Sequence, residues 1–208
     1  MDIELPKVPE VLDRRMRRSR SALLLAAVHL LTERGTSEVS VTELAEAADV
    51  SRRVLYQHFG DRDGLLIAAA IDLVTRELLP RLPQPLQTEA ATVEIVSHIA
   101  DHRPFYRALL TGSCAYAATK TMSGLFRPFS MASARELFGD LDDQAATEVA
   151  DYFTGATVTA VTGWLVDGPA QLDPEEFAER LHRIQSVLTG APADTTQAEG
   201  HHETTVRG

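Results

Sequence analysis

The chain has 208 residues, of which 44% are hydrophobic and 24% charged, and its formal net charge at pH 7 is -10. This is an ordinary globular composition with enough chain for one or two small domains. The single cysteine, Cys114, excludes an intrachain disulfide and a cysteine-based zinc cluster. The sequence has neither a long uncharged apolar run nor a signal-peptide pattern, which predicts a cytoplasmic protein without a membrane segment.

The negative charge is unevenly distributed. Residues 1–82 hold 12 basic and 13 acidic side chains, whereas residues 83–208 hold 8 basic and 17 acidic ones. The overall charge argues against a nucleic-acid partner, but the first part is close to neutral. A locally basic surface there can still bind DNA, with an affinity that falls steeply with salt.

The chain opens with residues 1–13, which are mixed in character and contain proline, so we expect a mobile arm. Arginines then cluster from Arg14 to Arg20, ahead of a helix predicted from about Ser19 to Arg34. Cations near a helix N-terminus oppose its macrodipole. The cluster, with Arg17 and Arg18 as candidates, therefore favours a phosphate or minor-groove contact over a merely solvated basic end.

The stretch from Val39 to Phe59 predicts two short helices joined by a tight turn. Ser40 and Glu43 have the spacing of a capping box, so the first helix should begin at Val41, directly after Ser40. Asp49 tolerates the left-handed conformation that such a turn needs. Serine is a good N-cap, so the second helix should follow Ser51.

Two interpretations of this stretch remain open. An ordinary helical hairpin would leave Arg52 and Arg53 on a solvated face. A DNA-binding helix-turn-helix would instead insert the start of its second helix into the major groove. Arginine can pair bidentately with guanine, which is worth about 1–3 kcal/mol of discrimination against a wrong base.

The rest of the chain predicts further helices, so the expected fold class is all-α with about nine helices. A fourth helix should follow the candidate cap Asp61 and end near Leu79, before a proline-rich linker. A later helix is expected to be kinked or split at Pro128. We therefore expect a helix-turn-helix domain over residues 14–80, a second helical domain over 81–190, and a disordered tail over 191–208.

The first part of the chain contains three motifs: AA-x-x-LL-x-E-x-G at Ala26 to Gly35, V-S-x-x-x-L-Y-x-H-F at Val50 to Phe59, and D-R-D-x-LL at Asp61 to Leu66. These motifs resemble those of the TetR/AcrR family of one-component transcriptional regulators. The second part matches loosely, through G-W-L-x-x-G at Gly163 to Gly168. The resemblance implies an N-terminal DNA-binding head, a C-terminal ligand-binding domain, and dimerisation through the last two helices.

The resemblance also implies roles for individual residues. The candidates for DNA binding are Arg17, Arg18, Thr42, Ser51, Arg52, Arg53, Tyr56, Gln57, His58 and Arg62. The candidates for ligand binding are Phe105, Tyr106, Met122, Phe126, Phe129, Tyr152 and Phe153, although aromatic residues at helical spacing usually form plain core. The candidates for the dimer interface are Gly155, Ala156, Ala160, Gly163, Trp164, Phe177, Leu181, Ile184 and Leu188. Asp49 stands where the family usually has glycine, and Arg53 and Val54 replace smaller or polar residues, so operator sequence cannot be inherited from relatives.

Other possible sites are weaker. His98 and His102 have a spacing that can bind a metal, but no carboxylate–histidine motif accompanies them, so we predict a surface or core role and no metal site. Cys114 has no basic neighbour in sequence, which disfavours a thiol sensor. No nucleophile elbow, P-loop, dinucleotide fingerprint or zinc signature is present, so we predict neither an enzyme nor a cofactor.

The leading hypothesis is a homodimeric, ligand-responsive repressor that binds double-stranded DNA at a pseudo-palindromic operator. A small, largely apolar effector would release it. The alternative is a helical protein–protein adaptor that has lost sequence-specific DNA reading. An activator rather than a repressor is also compatible with the sequence.

Overall fold

The computed structural model describes residues 14–83 and 88–189, apart from the side chains of Phe129, Leu188 and Thr189. The described residues form helices and turns only, so the all-α prediction is confirmed. The helices are α1 (Arg14–Arg34), α2 (Val41–Ala47), α3 (Arg52–Phe59), α4 (Arg62–Leu73), α5 (Glu89–Asp101), α6 (Arg103–Thr111), α7 (Ala115–Phe138), α8 (Asp143–Asp167) and α9 (Pro174–Thr189). The predicted arm (1–13) and tail (191–208) lie outside the described residues, as do the side chains of Phe129 and Leu188.

Helix α1 begins earlier than predicted. It starts at Arg14 rather than near Ser19, so the arginine cluster forms its first two turns instead of preceding it. Arginine is a good helix former, and these side chains are mostly exposed, which limits their mutual repulsion. Helical periodicity in the sequence predicts an inward apolar stripe on α1, and this is confirmed because Leu23, Ala27 and Leu31 are fully buried.

Helices α2 and α3 pack against α1 and α4 to form the N-terminal head. The predicted capping box is present, and α2 begins at Val41 as expected. Leu44 from α2 and Leu55 from α3 are both fully buried. Burying a leucine side chain contributes roughly 1.5–3 kcal/mol, so these two residues fix the orientation of the short helices.

Helix α4 is shorter than predicted, because it does not continue regularly to Leu79. It starts after the predicted cap Asp61, whose side chain accepts a hydrogen bond from the Gly64 amide at 2.6 Å. After Leu73 the chain forms a five-residue π-helical turn, Val74–Leu78, and then a 3-10 turn. Pro80 cannot donate a backbone hydrogen bond and crowds the carbonyl four residues earlier, so the last turn widens.

The remaining helices form the body. Helix α7 pairs with α8, α9 packs against α5, and α1 of the head lies along α6. Helix α7 is not split, since it continues through Pro128. The rings of Trp164 and Phe177 stack in parallel with centroids 4.3 Å apart, which joins α8 to α9. One hydrophobic core therefore runs from the head into the body.

Arg103 holds the end of α8 in place. Its guanidinium donates hydrogen bonds to the backbone carbonyls of Leu165, Gly168, Pro169 and Ala170, at 2.5–3.0 Å. The last carbonyls of a helix have no partner within the helix, so one side chain satisfies several acceptors at once.

Within the described ranges, no helix combines the length and the apolar composition needed to cross a lipid bilayer.

Candidate nucleic-acid interface

Helix α3 presents a polar face to solvent while its inner side anchors it. Leu55 is fully buried and Val54 is half-buried, whereas Arg52, Arg53 and Gln57 are exposed. A helix that keeps long hydrogen-bonding side chains free of the core, on one face, is suited to read base edges in a groove.

The turn before α3 has the geometry predicted for it. Asp49 has a φ of 52°, in the left-handed region, while the Val50 amide donates to the Ala45 carbonyl at 2.9 Å. Ser51 occupies the N-cap position as predicted, but its hydroxyl makes no capping hydrogen bond. The first amides of α3 and this hydroxyl therefore remain available to an external acceptor such as a phosphate oxygen.

The start of α2 is locked to α1 through a charged cap. The Ser40 amide donates to the Glu43 carboxylate at 2.7 Å, and the Glu43 amide donates to the Ser40 hydroxyl at 3.2 Å. Arg34, at the end of α1, donates to the other oxygen of Glu43. The Ser40 backbone and hydroxyl donors, followed by Arg34, lower the pKa of Glu43 to about 2. Thr42, beside this cap, is exposed.

We expect the contribution of Glu43 to folding stability to be lost in acid. Because the folded state lowers the pKa of Glu43 from 4.5 to about 2, its contribution is fully present above pH 4.5 and decreases as the pH falls toward 2. Denaturant unfolding of the wild type and of Glu43→Gln at several pH values measures this. The stability difference between the two should narrow below pH 4.5, and Ser40→Ala should reduce that dependence. A difference that stays constant down to pH 3 would contradict the assignment.

The end of α3 is also braced against α1. The Arg20 guanidinium lies over the Phe59 ring, 4.7 Å from its centroid. His58 is half-buried, and desolvation, followed by the charge of Arg20, lowers its pKa. His58 is therefore neutral at pH 7 and would contact a phosphate as a hydrogen-bond donor rather than as a cation.

The remaining candidates on the head divide into two groups. Arg17 and Arg18 on α1 and Tyr56 on α3 are exposed, with 51% of Tyr56 accessible. Arg62 differs, because it is held at the junction between head and body. Its guanidinium donates to the Asp63 carboxylate at 2.9 Å and to the Ser113 hydroxyl at 2.6 Å. A phosphate contact by Arg62 would require it to leave these partners.

Sequence reasoning missed the close contact at this junction. A Cβ atom on Gly112 would lie 1.8 Å from the Ser37 hydroxyl oxygen, so the α6–α7 turn touches the α1–α2 loop as closely as a glycine allows. The sequence of this turn, Thr111 to Ala115, predicts only a break between helices. Its small residues were the available signal, but their partner 75 positions earlier could not be read from one sequence.

Comparisons with known proteins agree with the geometry of the head. A model of the tetR family of bacterial regulatory proteins matches residues 23–69, and a model of a transcriptional regulator C-terminal region matches residues 87–186. The chain belongs to the TetR family.

Two curated relatives are similar to part of this TetR-family chain. The chain is 29% identical over 96 residues to the regulator TcmR of Streptomyces glaucescens, and the matched segment covers 44% of this chain and 42% of that protein. It is 33% identical over 94 residues to an HTH-type transcriptional repressor of Mycobacterium tuberculosis, and the matched segment covers 44% of this chain and 47% of the relative. The chain thus spans less than half the length of these relatives.

Solved structures show the same TetR-family fold. A TetR regulator from Rhodococcus sp. RHA1 matches with a TM-score of 0.59 at 17% identity, over 87% of this chain and all of that one. The dihydroxyacetone kinase operon activator DhaS matches with a TM-score of 0.58 at 12% identity, over 83% of this chain and 96% of that one. The matching proteins are transcriptional regulators rather than enzymes.

The residues predicted to bind an effector in this TetR-family chain differ in how deeply they are buried. Phe105 and Tyr106 are buried in the core, Met122, Phe126 and Phe153 are half-buried, and Tyr152 is 68% exposed. Two surface clefts of about 250 Å³ each, one at the head–body junction and one between α7 and α8, include none of them.

The residues predicted at the dimer interface also divide. Trp164, Phe177 and Leu181 are buried in the chain's own core. Ala160 and Gly163 are half-buried, whereas Gly155, Ala156 and Ile184 are exposed. Among the candidates whose side chains the structure describes, the exposed ones are this last group, on α8 and α9.

Two other side chains behave as buried groups. Burial raises the pKa of the Cys114 thiol, and the neighbouring Asp63 adds to the effect, so Cys114 is a poor nucleophile at neutral pH. Burial likewise lowers the pKa of His98 to about 4, so its ring is neutral. One ring nitrogen of His98 shares a hydrogen bond of 2.9 Å with the Tyr106 hydroxyl.

Proposed function

We propose that this chain is a homodimeric, ligand-responsive repressor of transcription. The observation that carries the proposal is the exposed polar face of α3, with Arg52, Arg53 and Gln57 free on a helix that Leu55 anchors in the core. The free Ser51 hydroxyl and the exposed arginines at the start of α1 add groups suited to phosphates. Together these groups support contacts of α3 with the bases and contacts of the neighbouring residues with the phosphates of the DNA backbone.

The proposed dimer forms through the exposed faces of α8 and α9. Gly155 and Ala156 allow close approach of a second helix, and Tyr152, Ile184 and Val187 are large apolar side chains left exposed in the single chain, with Val187 79% accessible. Tyr152 therefore fits the dimer face better than the ligand pocket. A two-fold dimer would place its recognition helices about 34–36 Å apart, for successive major grooves of a pseudo-palindromic operator.

The proposed effector is small and largely apolar, and it would enter among the half-buried residues Met122, Phe126 and Phe153. These lie on α7 and α8, and α7 also contacts α4. Opening this region would move α4 and the junction at Gly112 and Ser113, and hence the spacing of the two heads. The effector can shift this equilibrium only by its difference in affinity for the two states.

The test is fluorescence anisotropy with labelled duplexes from the region upstream of the coding gene, at low and at near-physiological salt. We expect one dimer-sized complex on a pseudo-palindromic duplex, and weaker binding when five base pairs are inserted between its half-sites. The insertion turns the half-sites to opposite sides of the duplex, because B-DNA has about 10–10.5 base pairs per turn. Equal affinity for the duplexes with and without the insertion would contradict binding as a dimer.

The second candidate is a helical protein–protein adaptor, which the acidic charge of -10 and the left-handed Asp49 favour. Absence of DNA binding by a folded dimer at low salt would support it. The sign of regulation is a separate question, because DhaS, which shares the fold, is an activator. A promoter–reporter assay with and without the gene distinguishes repression from activation.

A further inference from the structure

Three side chains capable of binding a metal meet where the head joins the body. Glu77 comes from the π-helical turn after α4, His98 from α5, and His102 from the junction of α5 and α6. Each offers one ligand atom, and these three atoms all lie within 4.8 Å of one another. The two histidines were visible in the sequence at i, i+4, but their carboxylate partner lies 21 positions before His98 and could not be paired with them.

We propose that Glu77, His98 and His102 form a binding site for a divalent metal ion of the zinc class. Two imidazoles and one carboxylate are a known ligand set for zinc, with a fourth position left to water or another ligand. The proposal goes beyond the assignment of the chain as a regulator of transcription and does not depend on it.

The geometry of Glu77 and His102 is already close to that of a bound pair. His102 Nε2 donates a hydrogen bond to Glu77 Oε2 at 2.9 Å. Zinc ligands at about 2.0–2.2 Å from the ion in tetrahedral geometry lie roughly 3.3 Å apart, so these atoms need to separate by only a few tenths of an ångström. The ion would take the place of the proton on His102 Nε2, and the ring would keep one N–H by carrying its proton on Nδ1 instead.

The third ligand has an unfilled bonding position. His98 is fully buried, and its Nδ1 has no hydrogen-bond partner among the described residues. A buried polar atom without a partner costs about 1–3 kcal/mol, so such atoms are rare unless an ion, a water or a function accounts for them. Tyr106, on the other ring nitrogen, orients the imidazole as outer partners of metal-binding histidines do.

The surrounding charges permit a cation. Arg76 and Arg81 are the nearby positive groups, but each has a carboxylate of its own, Asp72 at 2.7 Å and Glu94 at 3.7 Å respectively. Arg76 also lies 3.8 Å from the second oxygen of Glu77. Asp101 adds negative charge on α5. The carboxylates therefore offset the two arginines around the site.

The position of the site gives the ion a structural consequence. Glu77 lies on the segment that leads from α4 out of the head, whereas both histidines belong to the body. A bound ion would hold these two parts together. π-helical turns occur frequently at functional sites, and here the turn directs Glu77 toward the histidines.

The test is calorimetric titration of the full chain with Zn²⁺ after removal of metals with a chelator, together with Co²⁺ binding followed by visible absorption. We expect one ion per chain, a Co²⁺ spectrum typical of four or five nitrogen and oxygen ligands, and a higher Tm with Zn²⁺. Glu77→Gln and His102→Gln should each weaken Zn²⁺ binding at least tenfold and abolish the gain in Tm. Glutamine at position 77 can still accept the hydrogen bond, so this variant should fold.

Two matched controls separate this site from other histidines. His29→Gln removes an exposed i, i+4 histidine–glutamate pair, whose His29 Nε2 and Glu33 Oε2 are 3.3 Å apart, and should leave binding unchanged. His201→Gln/His202→Gln removes the adjacent histidines near the C-terminus and should also leave the one-ion stoichiometry. No stoichiometric binding by the folded wild type, or equal affinity in Glu77→Gln and His102→Gln, would overturn the proposal.

Discussion

Replacing Arg52 with alanine is expected to lower affinity for the operator by about 10- to 100-fold, while affinity for unrelated DNA falls much less. A bidentate arginine–guanine pair is worth about 1–3 kcal/mol, and 1.4 kcal/mol corresponds to a factor of ten. Arg52 is exposed at the first position of α3, where an end-on helix meets base edges. Anisotropy titrations of both duplexes at one salt concentration measure the two affinities.

The matched control is Arg135→Ala. Arg135 is also exposed, but it pairs with Asp143 across the turn between α7 and α8, away from the head. Its removal should leave both affinities unchanged. If Arg52→Ala lowered both affinities equally, Arg52 would contact phosphates rather than bases, and the salt dependence of binding would decrease instead of the specificity.

Replacing Gly112 with alanine is expected to destabilise the protein by about 1–3 kcal/mol, the usual cost of overpacking. The new methyl carbon would overlap the Ser37 hydroxyl oxygen at 1.8 Å and the Ser37 Cβ at 2.8 Å. Ser37 is itself buried, so it cannot move aside freely. Because the contact joins head and body, operator affinity should change as well. Denaturant unfolding and anisotropy measure the two effects.

Two further variants separate steric overlap from the general effect of adding a methyl group. Ser37→Gly removes both atoms that the new methyl group would overlap. The loss of stability caused by Gly112→Ala should therefore be much smaller in the Ser37→Gly variant than in the wild type. Gly124→Ala places the same methyl group on α7, where no atom beyond the adjoining helix backbone lies within 4 Å, and should raise stability by up to about 1 kcal/mol through helix propensity. Equal stability of Gly112→Ala and wild type would show that the junction is looser than the structure indicates.

Local features of the head were predictable because their partners lie close in sequence. The capping box at Ser40 and Glu43, the cap at Asp61 and the left-handed Asp49 each depend on residues within a few positions. The same holds for the inward stripe of α1, which follows from helical periodicity.

The features that could not be predicted from the sequence depend on long-range contacts. The pairing of Glu77 with His102 and the approach of Gly112 to Ser37 join residues 25 and 75 positions apart, and no local rule connects them. Whether an apolar residue is buried within the chain or at an interface could not be predicted from the sequence either. The family resemblance implies that Phe177 and Leu181 lie at a dimer interface, yet both are buried in the chain's own core.

The π-helical turn Val74–Leu78 has a consequence for the direction of the side chains that it carries. A π turn holds about one residue more than an α turn, and each residue of an α-helix rotates the chain by about 100°. Removing one residue there would restore regular α geometry, and because the lost residue and the tighter winding nearly cancel, the chain would leave the helix in almost the same direction. The side chains within the turn would change direction, however, so we expect a one-residue deletion to disrupt the contact of Glu77 with His102 more than the packing of the head against the body.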